Sequence, residues 1–583
     1  MAKEPATFRQ PVTDRSNERL DSWKEIASYL RYSERTVRRW ESEGLPVHRH
    51  AHKKKAAIYA YKSEIGVWWN EGRARLEKLE QAEIERRQRR PWRLAGAVAA
   101  AVLLVIGVFV VGRGRLRALE PGSSSTPVRA IAVLPLRNLS GDTAQEYFAD
   151  GITDAVTTDL AQIENLQVIS VTSAMQYKEA KKPLPEIARE LNADVIVEGS
   201  VERSGDQVRI TAQLIRATTD KHLWAETYER DFRDILALQD EVASAIADQI
   251  ETRLGGPKPS SRSKSAAVNP EAYDTYLQAN YYFDNGQLGK SLDYYNQAVK
   301  LDPNYGPTYA HMASAYFFQA FFGVLPPREG WGDVKQAAML AIEKDERIAE
   351  AHGALALAKM HYDWDFVGAE REFKRGLELN PSDADIHHDY AHYLMATGRS
   401  SESVAETKRA VELDPIGMTL TSCLCWHSFA ARKYDEAVRL ATRFLAQEPD
   451  NPWEHTILGW AYEQKQMPDD AIAQFQKAVE ETKSRSFYMA ALGHAYATAG
   501  RKNDAEQMLQ MLTQRAKTSY VSAFDVAGIY AGLGEKDAAF SWLQKAASER
   551  SSFLVYSEWE PRLDPLRSDP RFSQLLKRIG LPD

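Results

Sequence analysis

Over residues 269–548 apolar and polar positions alternate with a helical period, and that pattern itself recurs every 34 residues. Gly398, Gly500 and Gly534 stand on one 34-residue lattice, with Arg432 and Gln466 at its other points. Five residues after each point comes a small residue: Ser403, Ala437, Ala471, Ala505 or Ala539. Ala369 extends this column backward, Ser291 fills it in the first unit, and Pro381, Pro415 and Pro449 keep the same step. Small residues let two helices approach closely, and proline ends one unit before the next begins. The pattern predicts about eight helical hairpins stacked into an all-α solenoid, with a concave face for a protein or peptide. One unit is lengthened by FFGVLPPREGWGD, and 549–583 reads as a cap on the array.

Upstream the period changes. Within 128–256, VRAIAVLPL and LQVIS read as buried strands around the helix QEYFADGITDAVTTDLAQI. Another helix, three or four further strands turning at Ser204-Gly205-Asp206, and a closing amphipathic helix complete a small α/β domain. Near the N-terminus, Trp23, Ile26, Ala27 and Leu30 make one apolar helical stripe. Ser33 can cap a second helix over 34–43, with Val37 and Trp40 inward and Arg35, Arg38, Arg39 and Ser42 outward. LPVHRHAHKKKAAIYAY then reads as a basic two-stranded wing and KSEIGVWW as a third short helix. Between these parts lie a charged helical stalk (73–93) and an uncharged apolar run (94–112), which is long enough to span a bilayer.

The fold class predicted is therefore multidomain. It comprises a disordered tail (1–19), a winged helix-turn-helix (20–72), the stalk, one transmembrane helix (94–112) and a linker (113–127). The α/β domain (128–256), a linker (257–268), the repeats (269–548) and the cap (549–583) follow.

Charge adds a direction. The chain carries a net charge of −7, yet up to Arg93 the 22 Lys and Arg outnumber the 14 Asp and Glu by 8, so the remainder carries −15. A basic head and an acidic body suit different partners. Seven basic residues before the apolar run against four after it favour a cytoplasmic N-terminus. Leu76, Leu79 and Ile84 on the stalk offer a seam for a homodimer.

Candidate chemistry changes little. Cys423 and Cys425 diverge by about 200° on a helix, too far to bridge each other. GQLGKS lacks the first glycine of a phosphate loop, because Asp284 stands there. His387, His388 and His392 lack the glutamate of a metal hydrolase, and His48, His50 and His52 lack acidic or thiol partners. No catalytic residue, metal or cofactor is assigned, and an enzyme is not expected.

Three stretches carry family resemblances. Residues 21–69, with SERTVRRW, EGLP and the basic wing, resemble the excisionase/MerR-type winged helix-turn-helix. That resemblance implies double-stranded DNA as partner. Ser33, Arg35, Thr36, Arg38 and Arg39 then form the recognition face, and Arg49, Lys53, Lys54 and Lys55 meet phosphates. IAVLPLRNLSGD, EYFADGITD, ADVIVEGSVERSGDQVRITAQLI and LWAETYERD resemble the FlgO/TolB-amino-terminal-like domain, which implies a non-catalytic module. The 34-residue array resembles the tetratricopeptide repeat. Together they imply a single-pass bacterial inner-membrane regulator: a DNA-binding head in the cytoplasm, and a periplasmic α/β and repeat region that senses or recruits proteins. The alternative is an inner-membrane scaffold whose head does not bind DNA.

Overall fold

The structure, a computed structural model, describes residues 19–30, 34, 37–38, 45–49, 58–65, 67–68, 128–163, 166–254 and 268–581. It forms two units, Met1–Ser124 and Ser125–Asp583. In the first, β1 (Arg19–Leu20), β2 (His48–Arg49) and β3 (Ile58–Tyr61) pair antiparallel in the order β1-β3-β2. Helix α1 (Trp23–Leu30) buries Ile26, Ala27 and Leu30 in a small core with Val37, Ile58 and Ile65.

The stalk, the apolar run at 94–112 and the linker after it lie outside the described residues. Among the described residues no helix is long and apolar enough to cross a membrane. The expected transmembrane helix, the bilayer as a partner and the inner-membrane topology are corrected accordingly. The fold class becomes a mostly α-helical repeat solenoid with a mixed α/β region.

In the second unit the α/β region comes first. Its elements are β4 (Ala130–Val133), β5 (Arg137–Asn138), α2 (Glu146–Ala161), β6 (Gln167–Val168), α3 (Val171–Met175) and α4 (Leu184–Glu190). Then come β7 (Val195–Ser204), β8 (Gln207–Arg216), β9 (Lys221–Asp231) and α5 (Ile235–Leu254). The sheet order is β6-β4-β7-β8-β9; β6 and β7 run parallel to β4, and β7, β8 and β9 form an antiparallel meander. Strand alternation sorts the two faces. Ile131 and Val133 join the large core with α2 and α5, whereas Ala132 and Leu134 pack with Ile187 and Leu191 on the other side. Gly205, at φ +60°, turns β7 into β8. At Gly199 in β7 a Cβ would lie 2.0 Å from the Thr211 carbonyl oxygen and 2.8 Å from Leu136. Gly199→Ala must therefore pry β7 from β8, and a denaturant melt is expected to show a loss of about 2–3 kcal/mol.

Eight antiparallel helix pairs follow: α6 (Pro270–Asp284) with α7 (Leu288–Leu301), α8 (Gly306–Phe321) with α9 (Pro327–Lys344), α10 (Ala349–Ala358) with α11 (Phe366–Leu379), and α12 (Ala384–Ala396) with α13 (Ser400–Leu413). They continue as α14 (Met418–Ala430) with α15 (Tyr434–Leu445), α16 (Pro452–Gln464) with α17 (Pro468–Glu481), α18 (Ser486–Thr498) with α19 (Lys502–Arg515), and α20 (Ala523–Gly532) with α21 (Lys536–Glu549). The 34-residue lattice has a backbone meaning. Trp364, Gly398, Arg432, Gln466, Gly500 and Gly534 all have φ between 58° and 77°, the left-handed turn that ends the first helix of a pair. The residues five positions on are buried where the two helices cross, Ala369, Ala437, Ala471, Ala505 and Ala539 completely.

The α/β region is seated on the array at two places. Gly151 lets α2 approach α6, its Cβ position only 2.5 Å from a Leu277 methyl, and Asp274 accepts from both the Tyr147 hydroxyl and Arg203. Farther along, the Ser170 and Ser173 hydroxyls both donate to Asp414, and the Ser170 amide donates to the Leu413 carbonyl at 2.8 Å.

Candidate functional site on the inner face of the repeats

Successive first helices of the pairs pack side by side and form the inner face. Its character comes from large aromatic side chains packed into the core, including Phe321, Trp426, Phe429, Trp460, Phe487 and Phe524. One departure from α geometry matters here. After α10 the chain makes a π turn at Lys359–Asp363, and this widened turn directs His361 inward to stack on Trp331 at 4.3 Å.

This face is filled by the chain's own C-terminal segment. From Ser551 to Leu563 every residue is buried except Glu558, which is half-buried. Ser552 is held at both ends: its hydroxyl accepts from the Trp331 indole at 3.0 Å and donates to the Ala320 carbonyl at 3.1 Å. Its carbonyl meets His361 Nδ1 at 3.0 Å. Phe553 sits 5.2 Å from Phe321, 5.3 Å from Phe487 and 6.0 Å from Trp426; Tyr556 and Trp559 continue the stack against Trp426. Rather than only closing the end of the array, the segment reaches back across it. Helix α22 (Pro570–Arg578) does touch the last pair, through Arg571 with Asp537 and Phe540, but Gly580 then packs on Trp364 and Phe366 of the third.

Arg562 fixes the segment electrostatically. It is 4% exposed, bonds Glu560 at 3.0 Å, lies 3.6 Å from Asp525 of α20 and stacks over Trp460 and Phe524. A guanidinium sealed between aromatic faces is tolerable because two buried carboxylates balance it. Three other carboxyls, one in α2 of the α/β region and two in the repeats, have no ion pair with Lys or Arg among the described residues. Burial, reinforced by neighbouring carboxyls, pushes Asp154 and Asp383 up to about 7. Glu454 is fully buried beside Ser422 and Cys425, neither of which meets its carboxylate oxygens with full hydrogen-bond geometry; burial pushes it to about 7 as well.

The histidines divide into two kinds. His352, His387 and His455 staple their own pairs: Nε2 meets a carbonyl six residues earlier, at 2.9, 3.2 and 2.9 Å. Their Nδ1 atoms reach Glu372, Glu406 and Gln474 on the second helix. His388, His392 and His427 have no such arrangement. His388 Nε2 lies 2.9 Å from Cys423 Sγ and 2.8 Å from His392 Nε2, and burial pushes His388 down to about 4. His392 and His427 are also driven well down, first by burial. His387 therefore has a packing role, whereas His388 and His392 meet a cysteine from the next pair that their own local spacing could not reveal.

The residues predicted to contact DNA are only partly described. Ser33, Arg35, Thr36, Arg39, Lys53, Lys54 and Lys55 lie outside the described residues. Arg49 is exposed at the end of β2. Arg38 is exposed but engaged within its own unit, 3.5 Å from Glu34 and 5.5 Å above the Trp23 ring.

Comparison with known proteins points to the repeats. Two family models described as tetratricopeptide repeat match, at residues 272–305 and 427–486. A curated relative, a putative adenylate cyclase 3 of Rhizobium meliloti (strain 1021), is 35% identical over 247 residues, 41% of this chain and 42% of that protein. The chain thus spans less than half the length of that relative. Among solved structures, PilW, a widely conserved type IV pilus biogenesis factor, is 16% identical with a TM-score of 0.27, over 43% of this chain and 96% of that one. Pseudomonas aeruginosa pilF is 16% identical with a TM-score of 0.28, over 40% and 98%. These findings support neither the helix-turn-helix head nor the FlgO/TolB resemblance. The reading as a DNA-binding transcriptional regulator, with DNA and a homodimer as partners, is corrected with them: a basic helical face is also an ordinary solvated surface, and Arg38 is paired as such. What the family matches do show is tetratricopeptide repeats at residues 272–305 and 427–486, both within the helical array.

Proposed function

We propose that the protein is a non-enzymatic scaffold whose tetratricopeptide repeats bind protein partners through peptide segments. The observation that carries this reading is the buried course of residues 551–563 along the inner face: an aromatic groove with hydrogen-bonding sites at Trp331 and His361 already accommodates a peptide segment, wound into 3-10 turns at Ser552–Tyr556 and Pro561–Leu566. Solenoids of stacked helix pairs use their concave surfaces in this way. Within this reading 269–548 is the binding array, 128–256 is a module seated on its rim, and 549–583 is the resident occupant. The cyclase activity in the relative's name belongs to that protein and is not carried over.

A protease site inserted before Ser551 tests the proposal. After cleavage, a labelled synthetic peptide of residues 551–581 should exchange into the groove, and Phe553→Ala in that peptide should weaken binding by about 3 kcal/mol, roughly a hundredfold. A nicked, folded protein that releases its own segment and takes up neither peptide would sink the idea.

A further inference from the structure

We propose that His388, His392 and Cys423 hold a thiophilic divalent transition-metal ion, with zinc the best fit. The inference goes beyond the peptide-binding reading and does not depend on it. His388 and His392 stand four residues apart on α12, so their rings share one face of the helix. Cys423 reaches them from α14, one helix pair on, and the three donor atoms lie within 4.8 Å of one another. Around zinc, metal–nitrogen bonds of about 2.0 Å and a metal–sulfur bond of about 2.3 Å place the donors about 3.3–3.6 Å apart in a tetrahedron. The observed separations of 2.9 Å and 2.8 Å need to open by about 0.5–0.7 Å to reach those values.

The donor set selects the metal. Two imidazoles and one thiolate are a borderline-soft combination that suits zinc and its neighbours and does not suit calcium or magnesium. As the sulfur–metal bond forms, the thiol proton leaves for solvent, and no oxidant or reductant is required. His388 Nδ1 lies 3.6 Å from the Asp389 carboxylate, on the side of the ring away from the other two donors.

A second observation points the same way. The stapling histidines use both ring nitrogens on protein acceptors, but here the groups satisfy only one another. Among the described residues, His392 Nδ1 and the fully enclosed Tyr556 hydroxyl have no hydrogen-bond partner. The Tyr556 ring is 6.4 Å from the His392 ring, so this residue lies beside the cluster. Three protein ligands leave the fourth position to a water or another small donor. Cys425 is not part of the site; its thiol donates to the Thr421 carbonyl at 3.5 Å.

Cobalt titration of the full chain under reducing conditions tests the assignment. One equivalent of Co2+ should develop thiolate-to-cobalt charge-transfer absorption and tetrahedral ligand-field bands, and Zn2+ should displace it. Cys423→Ser should abolish the charge-transfer band while Cys425→Ser leaves it intact. His392→Ala should lower zinc affinity at least about tenfold against a competing chromophoric chelator. X-ray absorption on the zinc-loaded native sequence needs no variant, and should find one sulfur and two imidazole nitrogens around the ion. An oxygen-only shell, a band that follows Cys425 rather than Cys423, or no stoichiometric uptake of either ion overturns the proposal.

Discussion

Arg562→Ala is expected to destabilise the protein by about 3–5 kcal/mol, more than most single substitutions. The change leaves Asp525 and Glu560, each 4% exposed, without their shared counter-charge, and strips a planar cation from the Trp460 and Phe524 rings. Urea melts would measure the loss. Limited proteolysis would show where it falls, since the bonds after residue 550 should become sensitive before those in the helices. Two comparisons sharpen the result. Removing Asp564, whose pairing with Arg432 at 3.3 Å is half-exposed, should cost at most about 1 kcal/mol. Replacing Arg562, Asp525 and Glu560 together with apolar residues of similar size should restore much of the stability, because a buried charge group is costly mainly when broken. If Arg562→Ala melts like the native protein, the segment is not held as described.

The second large effect is one of pH. Glu454 has a folded-state pKa raised to about 7 by burial, above the ordinary glutamate value. Such a group contributes stability that is complete below the unfolded pKa and is lost as pH rises through the folded one. Between pH 5 and pH 8 the native protein is therefore expected to lose about 2–3 kcal/mol through this residue alone. Glu454→Gln keeps the shape and removes the titration. Its stability relative to the native sequence should rise by that amount across the window, so the difference between the two proteins isolates Glu454 from the other carboxyls. Asp154 and Asp383, raised in the same direction, add to the slope that both proteins share. A pH-independent difference would mean that Glu454 is solvated or paired.

What could be read from the sequence was what recurs locally. The 34-residue lattice marks left-handed residues even where the side chain is Trp364, Arg432 or Gln466, because the small residue five positions on keeps the register visible. The alternation in β4 likewise gives both faces of its sheet. Features made by distant residues were not legible. Nothing near Ser552 announces that its hydroxyl will meet Trp331, 221 positions away. His388 and His392 look like unremarkable packing residues until the next pair brings Cys423 against them. The errors have the opposite cause. Exposed arginines and an apolar run are chemistries that many contexts share, so Arg38 fitted a DNA-reading helix as easily as it fits Glu34 and Trp23.

The course of the C-terminal segment also alters how the array should come apart. A solenoid whose units touch only their neighbours frays from its ends and unfolds in steps. Here one segment of chain is bonded or packed to the second through eighth helix pairs, so loosening any of them disturbs the rest. The repeats and their segment should lose structure in a single cooperative transition, with amide exchange nearly uniform from α8 to α20. Releasing the segment should restore the graded protection of an elastic, spring-like array.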